Sequence, residues 1–223
     1  MCERYSLQAD KADLVGMFRI EKVHHCSTNR FNIAPLQNVT IVMNNRHGER
    51  VLQQSRWGLF PYWAKDSVNA DGGSLARKPF FERMLKRQRC VIPCSGFYGW
   101  KPGEKVKSPR PMHIVMPGRP LFGMAGFYDQ WRNADGEEVR AFTIVTVPAA
   151  GAISVWHDRF PVILDEEAAD RWLDPSLTDF TLLRKFLEPV EASQLRAYPV
   201  SEAVADENYE SPDCVREIRA DFA

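Results

Sequence analysis

Between residues 39 and 147 the apolar side chains come in short bursts, and that spacing limits what this chain can fold into. VTIVM at 39–43, then Val91–Pro93, Phe97–Trp100, His113–Met116, Leu121–Tyr128 and Phe142–Val147, are rich in β-branched and aromatic residues. Runs of this length suit strands better than helices. Turn chemistry separates them at Asn45-Arg46-His47-Gly48, Pro117-Gly118 and Ala134-Asp135-Gly136. Helical patterns are fewer. Asp10–Ile20 sets Leu14, Val15, Met17 and Phe18 behind acidic starters, and Lys78–Gln88 carries Pro79 in a first-turn position with Phe80, Met84 and Leu85 on one face. Glu166–Leu173 and Thr178–Leu187 read as two more. Strands in series with helices at the ends predict an α+β fold, with a mostly antiparallel β-sheet or barrel-like core and a few peripheral helices. With no repeat and no linker-like tract, residues 1–223 are expected to form a single domain, the acidic stretch from Glu202 being an extension.

Composition narrows the class further. A chain of 223 residues, 44% hydrophobic and 26% charged, can bury a substantial core. No apolar run approaches the ~18 residues that span a bilayer, and the first residues lack a signal-peptide core. Cysteines at 2, 26, 90, 94 and 214 are odd in number and form no paired framework. That usage fits a reducing cytoplasm. Neither His24-His25-Cys26 nor Cys90 with Cys94 has a standard zinc spacing, so no metal and no cofactor are expected.

Basic and acidic residues balance at 29 each, so net charge does not point to a nucleic acid, but its distribution is uneven. RKPFFERMLKRQR, Arg77 to Arg89, holds six basic residues against one acid. It reads either as a phosphate-facing patch or as a solvated helix face. The span Glu202–Ala223 holds seven acids against two arginines and reads as solvated surface.

Four stretches are unusual enough to carry chemistry. MCERYSL places a cysteine directly after the initiator methionine, ahead of a strand-like run. RWGLFPYWAKD, Arg56 to Asp66, interleaves Trp57, Phe60, Tyr62 and Trp63 with Arg56 and Lys65, a mixture that suits either stacking on unpaired bases or packing at a barrel rim. CVIPCSGFYGWK, Cys90 to Lys101, is a strand, a tight turn and a second strand bearing Tyr98 and Trp100. WHDRFPVIL sets the polar triplet His157-Asp158-Arg159 directly before an apolar strand, where it needs partners if buried.

In order and spacing, these stretches, with FNIAP at 31–35, Asn69-Ala70 and KPFF, resemble the SRAP family, SOS response-associated proteins that act on abasic sites in single-stranded DNA. The resemblance runs from residue 2 to about residue 175. It implies that Met1 is removed, so that Cys2 offers a free α-amine and a β-thiol. The amine would add to the aldehyde of an open abasic sugar, and the thiol would close a thiazolidine ring. Only an N-terminal cysteine can do this, because an internal one has its nitrogen locked in an amide. The resemblance also implies roles for Asn69 in holding the open sugar and for His157 as an acid/base, with Arg4 and Arg159 on phosphate. Pro35, Trp63 and Trp100 would bend the strand and stack its bases. The expected partner is single-stranded DNA containing abasic sites, bound by a monomer near the nucleoid, with no membrane involved.

Four positions depart from the family pattern: Glu3, Asp71, Gly73 and Gly99. Gly99 stands where the family has a glutamate that shuttles protons, and Asp71 where it has arginine. Either Glu3 or Asp71 has taken over proton transfer, or the chain is a catalytically weakened DNA-binding module. A third reading, a thiol peptidase limited to its own Met1, rests on the Cys/His/Asn set alone.

Overall fold

The computed structural model describes residues 3–101, 109–149 and 151–218. The strands are β1 (Tyr5–Leu7), β2 (Lys22–Val23), β3 (Arg30–Ile33), β4 (Asn38–Asn44), β5 (Arg50–Trp57), β6 (Asn69–Asp71) and β7 (Arg89–Cys94). They continue as β8 (Gly96–Lys101), β9 (Arg110–Val115), β10 (Phe122–Arg132), β11 (Glu138–Pro148), β12 (Arg159–Pro161), β13 (Ile163–Leu164) and β14 (Arg196–Pro199). The helices are α1 (Lys11–Phe18), α2 (Pro79–Arg87), α3 (Glu166–Leu173) and the single turn α4 (Phe180–Leu183).

Strands β5, β4, β7, β10 and β11 pair in that order, and β11 returns to pair in parallel with β5 through Ala141–Arg56 and Phe142–Trp57. The result is a closed barrel, which removes the exposed edges that an open sheet leaves. A second sheet runs β14-β9-β8-β1-β3, and Ser95 alone separates its β8 from β7 of the barrel. The expected α+β architecture with a largely antiparallel, barrel-like core is therefore what forms.

Local chemistry explains where the helices begin. Asp10 accepts the Asp13 N–H while the Asp13 carboxylate accepts the Asp10 N–H, a reciprocal cap that starts α1. Pro79 opens α2, where its missing N–H costs nothing. The buried face of α2 is Phe81, Met84 and Leu85; Phe80, expected there, is exposed. Helix α3 sends Trp172 into the core, where its indole N–H donates to the Cys90 carbonyl at 3.0 Å. The fourth expected helix breaks after one turn and continues as a 3₁₀ segment at Arg184–Phe186.

The basic segment resolves into a solvated helix face and one core residue. Lys78 pairs with Asp66, Arg83 with Asp129 and Lys86 with Glu82. Buried Arg89 donates to the carbonyls of Leu85, Trp172 and Asp174, tying β7 to both helices. Burial lowers its guanidinium to about 10, partly offset by Asp174.

The acidic C-terminal stretch is not merely solvated surface. Its carbonyls at Val204, Asp206 and Tyr209 all accept from the Asn32 amide, and its Glu210 carboxylate accepts the Phe31 and Asn32 N–H groups and pairs with Arg30. Val204 and Cys214 are buried against Tyr98, whose hydroxyl donates to the Phe31 and Cys214 carbonyls. The stretch up to residue 218 is thus built onto β3 and β8. Among the described residues, no helix is long and apolar enough to cross a membrane.

Candidate nucleic-acid interface

A cleft of about 630 Å³ opens where the second sheet meets the barrel. Arg4, Pro35, Asn69 and Trp100 line it, together with Glu3, Lys65 and Glu207. Four of the eight residues singled out in the sequence therefore share one wall system, although they lie as far apart as residues 4 and 100. Cys2 falls outside the described residues. Its neighbour Glu3 lies on the cleft.

Each side chain is set by the element beneath it. Arg4 precedes β1, its carbonyl accepts the Tyr98 N–H at 3.0 Å, and its guanidinium donates to the Ala205 carbonyl at 3.2 Å. Pro35 sits in the turn after β3, where the Leu36 N–H is held by the Trp57 carbonyl at 2.7 Å. Asn69 begins β6, which runs parallel to β11, and is only 3% exposed. Trp100 lies on β8, and its N–H donates to the Trp156 carbonyl at 3.3 Å.

Arg159 opens β12, on the other side of β11, and His157 lies on the loop just before it. The Arg159 guanidinium donates to the Asp71 carboxylate at 2.6 Å, and to the Thr146 carbonyl and hydroxyl at 2.6 and 3.1 Å. Burial works to raise the Asp71 carboxyl, but Arg159, the Gly73 N–H and Ser74 outweigh it and hold the group below its usual range. Asp71 also caps the 3₁₀ turn that follows β6. A carboxylate so engaged is a poor proton shuttle near neutral pH, since an effective one has a pKa close to the working pH.

His157 follows Trp156 and is not one of the cleft-lining residues. Its Nδ1 lies 2.5 Å from the Asp158 carboxylate and 3.2 Å from the Arg159 N–H. Trp63, 81% exposed, stands immediately before the cleft residues Ala64 and Lys65.

The glycine departure has a structural counterpart. A Cβ at position 99 would meet the Trp156 Cβ and the Ile114 Cδ1 at 3.1 Å, tighter than ordinary packing. A glutamate there needs Trp156 and Ile114 to give by a few tenths of an ångström. Of the remaining acids, Glu3 and Glu207 line the cleft. Sequence reasoning missed Glu207 and Ala205 because nothing local signals that a distant acidic tail folds back to form a wall.

The family model described as SOS response associated peptidase (SRAP) matches residues 1–207. The chain is 35% identical to the abasic site processing protein YoqW of Bacillus subtilis (strain 168), over 96% of this chain and 99% of that protein. It is 28% identical to the abasic site processing protein HMCES of Xenopus tropicalis, over 84% of this chain and 66% of that one. A crystal structure of a protein from Bacteroides thetaiotaomicron superposes with a TM-score of 0.83, covering 98% of this chain and 100% of that one, at 22% identity. That last likeness concerns the fold alone.

Proposed function

The chain belongs to the SRAP family, and from that premise we propose that it processes abasic sites in single-stranded DNA by capturing the open sugar on Cys2. Removal of Met1 exposes the amine, whose lone pair attacks the aldehyde carbon. Loss of water gives an imine. The thiolate then adds to the same carbon, the electron pair of the C=N bond moves to nitrogen, and a proton neutralises it. The product is a thiazolidine ring. An α-amine with a pKa of ~8 is far more often neutral at pH 7 than a lysine near ~10.4, which favours the first step. Ring closure is intramolecular and gains a large effective molarity.

The observation that carries this reading is the cleft at the chain's front end, lined by Arg4, Asn69 and Trp100. In this reading Asn69 orients the open sugar, and His157 transfers protons at the former sugar carbon. Arg4 and Arg159 hold flanking phosphates, and Pro35, Trp63 and Trp100 bend and stack the strand. Glu3, on the cleft and next to Cys2, is the better candidate for the missing carboxylate than Asp71, which Arg159 already engages.

Incubation with abasic single-stranded DNA is expected to give a heat-stable adduct, with intact mass reporting both Met1 loss and the added strand. Cys2→Ala abolishes it. Absence of any adduct on a chain shown by mass to begin at Cys2 would refute the covalent chemistry. The packing of Trp156 against Gly99 favours one competing reading, a non-catalytic module. That module would bind intact and abasic strands equally well.

A further inference from the structure

Beyond the cleft, the loop after β5 presents an aromatic surface whose size the fold does not require. Phe60 is 63% exposed, and its ring lies 5.8 Å from Tyr62, 6.0 Å from Trp63 and 6.5 Å from half-buried Trp131 on β10. The edge-on and tilted geometry keeps this group together as one patch. The Arg56 guanidinium stacks 4.4 Å from the Tyr62 ring centre. Lys65, two residues after Trp63, lines the cleft, so patch and cleft are continuous.

Charge decides what such a patch fits. Of the acids beside the rings, Asp66 is matched by Lys78 and Glu138 by Arg140, while Glu3 and Glu207 belong to the cleft wall. Among the described residues neither Arg56 nor Lys65 has an ion-pair partner. Exposed rings bordered by unmatched cations suit stacked bases with phosphates alongside; a protein partner would more typically meet a patch with a mixed polar rim.

We propose that Phe60 and Trp131, with Trp63, form a platform on which unpaired bases to one side of the lesion stack as the strand leaves the cleft past Lys65. The proposal rests on the DNA-binding reading above and extends it to two residues outside the cleft.

The probe is an undamaged oligothymidylate, with binding followed by fluorescence anisotropy at fixed salt. The double variant Phe60→Ala, Trp131→Ala is expected to bind it at least tenfold more weakly, and Phe60→Trp with Trp131→Phe to bind it nearly as tightly as the wild type. Wild-type protein is expected to lose a similar factor when an abasic strand is cut back to one nucleotide on one side of the lesion but not on the other. Unchanged binding by the alanine variant overturns the platform, as does equal sensitivity to both flanks. Loss of self-association in sedimentation, with DNA binding intact, would overturn it in favour of a protein contact. Wild-type protein that binds the oligothymidylate but forms no adduct would refute the Cys2 chemistry and leave the platform standing.

Discussion

His113 and His157 each sit in a polar chain that could be mistaken for catalytic machinery. His113, 1% exposed on β9, has the Ser6 hydroxyl 3.0 Å from Nε2 and the Tyr198 hydroxyl 2.8 Å from Nδ1. Both hydroxyls reach onward to carbonyls, Tyr198 to Val215 at 3.2 Å and Ser6 to Gly96 at 3.3 Å, so one ring nitrogen donates and the other accepts along a continuous polar chain. The ring is neutral, and burial pushes it down to about 3. This chain joins β1, β9, β14 and the C-terminal segment, and its imidazole is closed off from solvent. The His157 side chain is 27% exposed, on a loop beside the cleft strands, with a carboxylate at one ring nitrogen. Access separates the two far more than partner chemistry does. A buried relay holds strands together, whereas a rim histidine can meet a ligand.

Exchanging the two histidines for alanine is expected to split their effects cleanly. His157→Ala should slow adduct formation on the order of a hundredfold or more, as loss of a general acid/base does, while thermal unfolding stays close to the wild type. His113→Ala should do the reverse. It leaves the Ser6 and Tyr198 hydroxyls short of a partner and opens a cavity, at about 3 kcal/mol in denaturant unfolding. Adduct formation per folded molecule should be retained. If His157→Ala unfolds the protein and His113→Ala spares it, the contrast drawn here is wrong.

Acid sharpens the same contrast. The unfolded chain takes up a proton on His113 below ~6.5 that the folded chain refuses until about 3. Stability is therefore expected to fall as pH drops through that window, by up to ~1.4 kcal/mol per pH unit. Asp71, held low in the fold, adds a further loss as pH falls below its ordinary carboxylate range. Denaturant midpoints measured from pH 7 to pH 4 should drop for the wild type and flatten above pH 5 in His113→Ala. The smallest effect expected is that of Asp71→Asn. The pair with Arg159 is partly exposed, so its removal should cost no more than about 1 kcal/mol of stability. With its carboxylate gone, Arg159 should bind single-stranded DNA a few-fold more tightly in a salt titration.

Much of this molecule could be read along the chain, and the exceptions share a cause. Helix starts at Asp10 and Pro79 and the strand bursts from Val39 to Val147 were legible because capping and side-chain alternation act over a few residues. Strand β5 was not, because Gln53, Gln54, Ser55 and Arg56 interrupt its apolar pattern; pairing with β4 and β11 makes it a strand. Arg4, Pro35, Asn69 and Trp100 were legible as a set through family motifs, and the fold brings them to one cleft. Gly99 and Asp71 stood out as departures. Their neighbours Trp156 and Arg159, more than fifty residues downstream, carried no mark of the contact.

Residue order alone therefore specified the strand-rich class and the helix caps, since each depends on atoms a few bonds or one turn apart. Contacts across the fold specified the rest. The barrel closes through β5 and β11, Arg159 neutralises Asp71, Trp156 closes over Gly99, and the acidic tail becomes a cleft wall. Those outcomes depend on which surfaces meet once apolar area is buried, and chain-local chemistry carries no record of that meeting.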